Sequence, residues 1–149
     1  MSAANRGKYA EGKVKDKLKL MEAQNCTHHR FPDAHAGSFA VTPSDFMVCK
    51  EGKLTLLEVK EVQHSYRLPH KNFAKDQCGR MRNWKIAGAE AWVVVYFVPE
   101  KAYRFSDVDY FLDRTGGSWN MKDFPLVSLD TVFETFYFLF YLSFVSYCK

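Results

Sequence analysis

The chain has 149 residues, of which 47% are hydrophobic and 26% are charged. These proportions exclude a wholly disordered chain, and the length fits one globular domain. The formal net charge is +4, but it is unevenly distributed. Residues 1–24 and 60–85 carry net charges of +3 and +5, whereas residues 25–59 and 86–149 carry −1 and −3. Two basic blocks indicate a polyanionic partner, although solvated helix faces produce the same pattern.

The first predicted element is a helix over residues 5–24. Its apolar side chains recur at helical spacing: Ala10, Val14, Leu18 and Met21. Residues 25–44 follow no regular period, so we predict a loop there, with one short strand near 39–41. A hairpin comes next, with its two strands at 45–49 and 54–61.

A second helix is predicted over residues 71–87, with Gly88 as its C-terminal cap. Its apolar face is predicted to carry four side chains: Phe73, Gln77, Met81 and Trp84. Residues 91–98 are a continuous apolar run of strand-forming residues, typical of a strand covered on both faces. A short strand at 103–105 and a short helix capped by Ser106 complete the series. The order α-β-β-(β)-α-β-β-α predicts a mixed α/β fold.

The C-terminal segment 132–148 is almost wholly apolar and aromatic. Thr131 and Glu134 have capping-box spacing, so we predict a helix that packs in the core or at a dimer interface. Its 17 residues are at the lower limit for crossing a bilayer, which leaves membrane attachment as the alternative. We expect no stable membrane association, and we divide the chain into a core over 1–115 and an apolar extension over 116–149.

The predicted hairpin carries a pattern of acidic and basic residues that suits a metal site. Glu58 and Lys60 share one face of a strand, and Asp45 opens the neighbouring strand. Glu11 borders the apolar face of the first helix. Carboxylates that converge beside a lysine suit Mg²⁺, which takes one or two carboxylates and commonly a phosphate of its substrate. The spacing alone leaves open a surface salt bridge on an exposed edge strand.

Four stretches of the chain have the spacing of a known set of nuclease motifs. They are residues 5–11 (NRGKYAE), 44–46 (SDF), 57–61 (LEVKE) and 68–77 (LPHKNFAKDQ). Together they resemble the PD-(D/E)xK nuclease superfamily and, within it, the RecU-like Holliday junction resolvases, with a compact size similar to phage-type versions. The resemblance implies a restriction-endonuclease-like mixed β-sheet flanked by helices, with an α-β-β-β-α-β core.

The resemblance also implies roles for individual residues. It assigns the metal to Asp45, Glu58, the Val59 carbonyl and Glu11, with Mg²⁺ as the ion and Mn²⁺ as the alternative. Lys60 and Gln77 would position water or a phosphate oxygen, so the implied catalytic set is Asp45, Glu58, Lys60, Glu11 and Gln77. The implied DNA contacts are Asn5, Arg6, Lys8, Arg67, Lys71, Asn72, Lys75 and Arg80.

The function implied by the resemblance is a metal-dependent endonuclease that resolves four-way junctions as a homodimer. A sequence-specific homing or restriction nuclease and a non-catalytic DNA-binding module are the alternatives. The lack of CxxC spacing and of an apolar N-terminal stretch predicts a cytoplasmic protein with reduced thiols, which for a phage-encoded enzyme means the host cell. A zinc site in the His- and Cys-containing stretch 26–35 fits no standard spacing.

Overall fold

A computed structural model describes residues 7–32 and 42–136. The helices are α1 (Lys8–Met21) and α2 (Gln77–Ile86). The strands are β1 (Cys26–Arg30), β2 (Phe46–Lys50), β3 (Lys53–Val62), β4 (Arg67–Pro69), β5 (Glu90–Phe97), β6 (Ala102–Asp107) and β7 (Ser118–Asn120). Within the described residues, five strands form a mixed sheet in the order β1-β2-β3-β5-β6, and β4 pairs with β7 in a small second sheet.

Strand β3 is the middle strand of the large sheet. A two-residue turn joins it to β2, and both turn residues, Glu51 and Gly52, have positive φ angles of 50° and 78°. This left-handed backbone matches the twist of a tight hairpin. On its other side β3 pairs in parallel with β5, which requires a crossover connection, and the chain forms α2 within that crossover.

Helix α1 covers one face of the sheet. Its predicted apolar stripe is confirmed, since Ala10, Val14, Leu18 and Met21 are all buried. They belong to the same core as Leu57 and Val59 of β3. The helical segment 129–136 joins this core through Val132, Phe133 and Phe136. The division of the chain at residue 115 stays a prediction.

Helix α2 covers the opposite face, but its inward stripe differs from the predicted one. Cys78 and Met81 are buried, whereas Gln77 is partly exposed and Trp84 is 40% exposed. The helix begins at Gln77 rather than at residue 71, and Cys78 and Met81 form its inward face, with Trp84 at the rim. Phe73 is buried in this core, as predicted, although it precedes the helix.

Three local predictions were wrong for identifiable reasons. The segment predicted as a loop contains β1, which pairs with β2 through Cys26–Arg30 despite its polar side chains. Ser106 lies within β6, and Asp107 instead accepts the hydrogen bond from the Asp109 backbone at the start of a 3₁₀ turn. The Thr131 N–H donates to the Ser128 hydroxyl, 3.2 Å away, so Ser128 occupies the predicted capping position of Thr131.

Other predictions agree with the structure or fall outside it. Gly88 has a φ of 112° just after α2, as its capping role requires. The strand predicted near 39–41 and the tail beyond residue 136 lie outside the described residues. Among the helices that the structure describes, none is both long and apolar enough to span a membrane.

The start of α1 is tied to the end of β3. The helix begins after Gly7, which has a φ of 98° and no side chain to cap the first turn. The backbone N–H of Ala10 instead donates to the Glu61 carboxylate at 3.1 Å. A carboxylate at a helix N-terminus satisfies an orphan donor and interacts favourably with the helix dipole.

We predict that Glu61→Ala lowers the free energy of unfolding by about 1 kcal/mol, the typical cost of losing an N-terminal cap. Urea unfolding followed by circular dichroism measures this change. Glu100→Ala is the matched control, because Glu100 is exposed in the turn after β5. Equal unfolding midpoints for the two variants would contradict the anchoring role of Glu61.

Candidate active site

Asp45 and Glu58 are joined by two reciprocal hydrogen bonds at the end of the β2–β3 ladder. The Asp45 backbone N–H donates to Glu58 Oε2 at 3.0 Å, and the Val59 backbone N–H donates to Asp45 Oδ2 at 2.8 Å. The last paired residues of the ladder are Phe46 and Leu57. Beyond this pair, hydrogen bonds from backbone N–H groups to the two carboxylates join the segments. The hairpin therefore brings the two predicted carboxylates together.

Glu58 is buried in a position that the alternation of β3 dictates. Leu57 and Val59 face the α1 core, and Leu56 and Val62 face the α2 core. Side chains alternate along a strand, so Glu58 and Lys60 lie on the same face as Leu56 and Val62, which is the α2 side of the sheet. Glu58 is only 1% exposed, which rules out the alternative of a solvent-exposed salt bridge.

Lys60 completes the buried group. Its Nζ lies 2.6 Å from Glu58 Oε1, and its side chain is 18% exposed. The same ammonium lies 4.7 Å from the centroid of the Phe73 ring. A cation over an aromatic face is attracted by the ring quadrupole, so Phe73 and Glu58 together fix the ammonium. Phe73 was predicted as a core residue only, and no sequence pattern indicated its contact with Lys60.

The charges of this group do not balance. Burial, followed by the charge of Glu58, raises the pKa of Asp45 from 3.8 to about 8, although Lys60 and the Val59 hydrogen bond oppose the shift. Burial also disfavours the Lys60 ammonium, but the carboxylates of Glu58 and Asp45 more than offset it and raise the pKa of Lys60. One ammonium thus does not neutralise two buried carboxylates.

The raised pKa of Asp45 links the site to stability. A carboxyl whose pKa is higher in the folded state contributes stability that is complete below its unfolded pKa. For Asp45 this contribution is lost as the pH rises from about 4 through about 8. Near neutral pH, the two carboxylates therefore cost the metal-free protein folding free energy.

Glu11 lies close to this group but has a partner of its own. Its Oε2 accepts a hydrogen bond from Arg30 Nη2 of β1 at 2.7 Å. Its charge nevertheless contributes to the raised pKa values of both Asp45 and Lys60. The contact of Arg30 with Glu11 was not predicted, because β1 was not predicted. The predicted metal-binding role of Glu11 stays a prediction.

The start of α2 lies against the same group. Burial, followed by the charge of Glu58, raises the pKa of the Cys78 thiol to about 11, and the charge of Lys60 opposes this shift. Gln77 precedes Cys78 and is partly exposed, at the first turn of the helix. Asp76 directly before it has a φ of 64°, a strained conformation for a residue other than glycine. The predicted role of Gln77 is therefore consistent with its place but stays a prediction.

The predicted DNA-contacting residues fall into two groups. Asn5 and Arg6 lie outside the described residues. The others are fully or partly exposed, and Lys71, Asn72, Lys75 and Arg80 lie on α2 or immediately before it. The charges of Arg80 and Arg114 act on Cys78, so both guanidinium groups lie near the site. Lys8 begins α1 and Arg67 begins β4.

A metal centre built entirely from protein side chains is absent from the described residues. No group of three or more His, Cys, Asp or Glu side chains there is arranged to hold an ion. In the stretch considered for zinc, His28 Nε2 lies 2.9 Å from Glu22 Oε1 in an ion-pair geometry. At the hairpin, Asp45 and Glu58 provide two carboxylates, and Glu11 is paired with Arg30.

The fold is similar to that of a solved nuclease. The structure of Archaeoglobus fulgidus Hjc, a Holliday junction resolvase from an archaeal hyperthermophile, matches with a TM-score of 0.55 and 21% sequence identity. The match covers 80% of this chain and 95% of that one. No protein-family model and no curated protein matches the chain. At this level of identity the likeness establishes the fold, which is the predicted restriction-endonuclease-like sheet flanked by helices.

We predict that Glu58→Gln lowers the pKa of Asp45 from about 8 but leaves it above 3.8, because burial, the largest cause of the shift, remains. Carbon-13 NMR titration of the Asp45 carboxyl in metal-free protein measures both values. Glu11→Gln is the graded control, since Glu11 is the smallest of the contributing charges. A larger drop in Glu11→Gln than in Glu58→Gln would refute this account of the site.

Proposed function

We propose that this protein is a metal-dependent endonuclease that hydrolyses branched DNA, in the class of Holliday junction resolvases. One observation carries the proposal. Two buried carboxylates and a lysine converge at the end of the β2–β3 hairpin, with only one positive charge to balance them. This arrangement occurs in a fold that the chain shares with an archaeal protein described as a Holliday junction resolvase.

The residues at the hairpin fit a divalent cation. Burial, followed by the charge of Glu58, raises the pKa of Asp45, and a bound dication would favour the ionised carboxylate. Asp45 Oδ2 accepts the Val59 N–H, and no donor among the described residues contacts Asp45 Oδ1. A strand residue directs its N–H and C=O to the same side, which puts the Val59 carbonyl on the side of Asp45. Asp45, Glu58 and that carbonyl would hold Mg²⁺ or Mn²⁺, with Glu11 as a more distant participant.

The chain's own residues would then support in-line hydrolysis of a phosphodiester. A bound Mg²⁺ supplies positive charge for the phosphate and lowers the pKa of a bound water. Lys60, held by Glu58 and Phe73, is placed to donate hydrogen bonds to the attacking water or to a phosphate oxygen, whose negative charge grows in the transition state. The Gln77 amide at the start of α2 would orient the same water or oxygen.

The basic residues around the site would bind the DNA backbone. Exposed or partly exposed cations lie on and before α2, and Arg114 lies near the same helix start. Phosphate contacts of this kind provide most of the affinity and make it depend on salt. Asn5 and Arg6 precede α1, whose first turn is tied to β3 beyond Lys60. We include both residues in the proposed DNA surface.

Two symmetric incisions across a four-way junction need two active sites, so the proposal includes a homodimer. The motifs resemble RecU-like and phage-type resolvases, whereas the similar solved structure is archaeal. Both similarities are to junction resolvases, so the proposal names that class of enzyme and neither subtype. We expect the enzyme to act inside the cell, where the recombining DNA is.

We predict that the protein with Mg²⁺ cuts a labelled four-way junction at paired symmetric positions and leaves a linear duplex of the same sequence intact. Glu58→Gln and Lys60→Met should each lower the cleavage rate by roughly 100- to 10,000-fold, the range for loss of a positioned catalytic group. Both variants should still bind the junction in the presence of a chelator. Gel analysis of cleavage and fluorescence anisotropy of binding measure the two properties.

Glu100→Gln is the control, because it removes one exposed carboxylate away from the hairpin and should cut like the unsubstituted protein. Cutting of the linear duplex at one sequence would replace the proposal with a homing or restriction nuclease. Binding without cutting of either substrate would replace it with a DNA-binding module. Undiminished cleavage by Glu58→Gln would refute the site.

A further inference from the structure

Two cations converge on one tyrosine beyond the end of β3. The Arg67 guanidinium lies 5.5 Å from the centroid of the Tyr66 ring, and Lys122 Nζ lies 5.8 Å from the same centroid. Tyr66 is partly exposed, and both cations are exposed. We call these three residues the Tyr66 clamp. Tyr66 and Arg67 are neighbours in sequence, whereas Lys122 comes from a distant segment that the fold brings beside them.

The backbone around the Tyr66 clamp is fixed by several hydrogen bonds. His64 Nδ1 accepts from the backbone N–H groups of Tyr66 and Arg67, each at 3.2 Å. The Met121 N–H donates to the Tyr66 carbonyl at 2.8 Å, and the Lys122 N–H donates to Asn120 Oδ1 at 2.9 Å. The pairing of β4 with β7 continues this connection. The clamp is therefore preorganised, which reduces the entropy lost when a ligand binds.

The clamp's positive charges have no carboxylate partner among the described residues. Among the described residues, the Arg67 guanidinium donates only to the Ser118 hydroxyl, at 3.4 Å, and Lys122 Nζ contacts the Tyr66 ring. Asp123 follows Lys122 in sequence, but its charge acts on Tyr110, whose pKa is raised by burial and by this carboxylate. Like charges held near each other on a rigid frame favour an anion with several acceptor oxygens.

The segment that contains Tyr66 and Arg67 is connected to the candidate active site at both of its ends. Strand β3 carries Glu58 and Lys60 and ends at Val62, four residues before Tyr66. Strand β4 then leads through a 3₁₀ turn to Phe73, whose ring contacts the Lys60 ammonium. Strands β4 and β7, which flank the clamp, pack in the α2 core, so the clamp lies on the α2 side of the sheet.

We infer that the Tyr66 clamp binds a backbone phosphate of the DNA that flanks the cleaved bond, an inference that rests on the proposed function. Arg67 and Lys122 approach one phosphate group from two segments, and Tyr66 sets their separation. The clamp contacts no base edge in this arrangement, so it holds and aligns the substrate without reading its sequence.

Binding of a labelled four-way junction in a chelator, measured by fluorescence anisotropy over a range of salt concentrations, tests the inference. Lys122→Gln and Arg67→Gln should each weaken binding and lower the slope of log affinity against log salt by about 1, the value for one lost phosphate contact. The double variant should lower the slope by less than the two single changes together, because both cations share one phosphate. Lys19→Gln is the control, since Lys19 is exposed in the last turn of α1.

The outcomes separate this inference from the proposed function. If the unsubstituted protein binds no DNA, the proposed function fails. If the unsubstituted protein binds DNA, but Lys122→Gln and Lys19→Gln have the same affinity and the same slope of log affinity against log salt, the clamp contacts no phosphate. The inference is then overturned. The last measurement is a titration with inorganic phosphate alone, in which NMR follows the Arg67 and Met121 amides. Saturation by free phosphate at concentrations that leave bound DNA in place would mark a small-anion site and also overturn the inference.

Discussion

Two carboxylates, Asp45 and Glu58, share one buried site with a single lysine, and this charge imbalance is the constraint on which the rest of the site depends. Each carboxylate accepts a backbone N–H from the other's strand, so neither can move away without breaking the end of the hairpin ladder. Backbone geometry thus holds two carboxyl groups together in a place where burial, followed by the charge of Glu58, raises the pKa of Asp45 to about 8. Such an arrangement destabilises the metal-free fold and suits a function that needs a cation.

The two faces of β3 have different roles: one packs against α1, and the other carries the site. Residues 57, 59 and 61 face α1, where Leu57 and Val59 pack and Glu61 holds the first turn of the helix. Residues 58 and 60 face the α2 side, where Phe73 contacts the Lys60 ammonium. A shift of the strand by one residue would exchange these faces, so packing against α1 also fixes the register of the site.

Much of this was predictable from sequence, because the strongest patterns were local. The 3.6-residue period identified α1, and the continuous apolar run identified β5. The spacing of Asp45, Glu58 and Lys60 suggested the carboxylate pair, and the resemblance to nuclease motifs assigned it. The missed strands required tertiary information. Strand β1 is polar and gains its structure from pairing with β2, and β4 and β7 are three-residue strands that pair only with each other. Arg30 and the place of Lys122 in the Tyr66 clamp were therefore not predictable from local patterns, whereas Arg67 was already among the implied DNA contacts.

The central claim is that Asp45 and Glu58 jointly hold a divalent cation, and a crystal soaked in Mn²⁺ tests it most directly. Anomalous scattering near the manganese edge locates the ion independently of any model of the protein. We predict one strong peak at about 2.1 Å from a carboxylate oxygen of each residue, on the side of the Val59 carbonyl. A fully occupied peak elsewhere on the protein, with none at the hairpin, would contradict the claim.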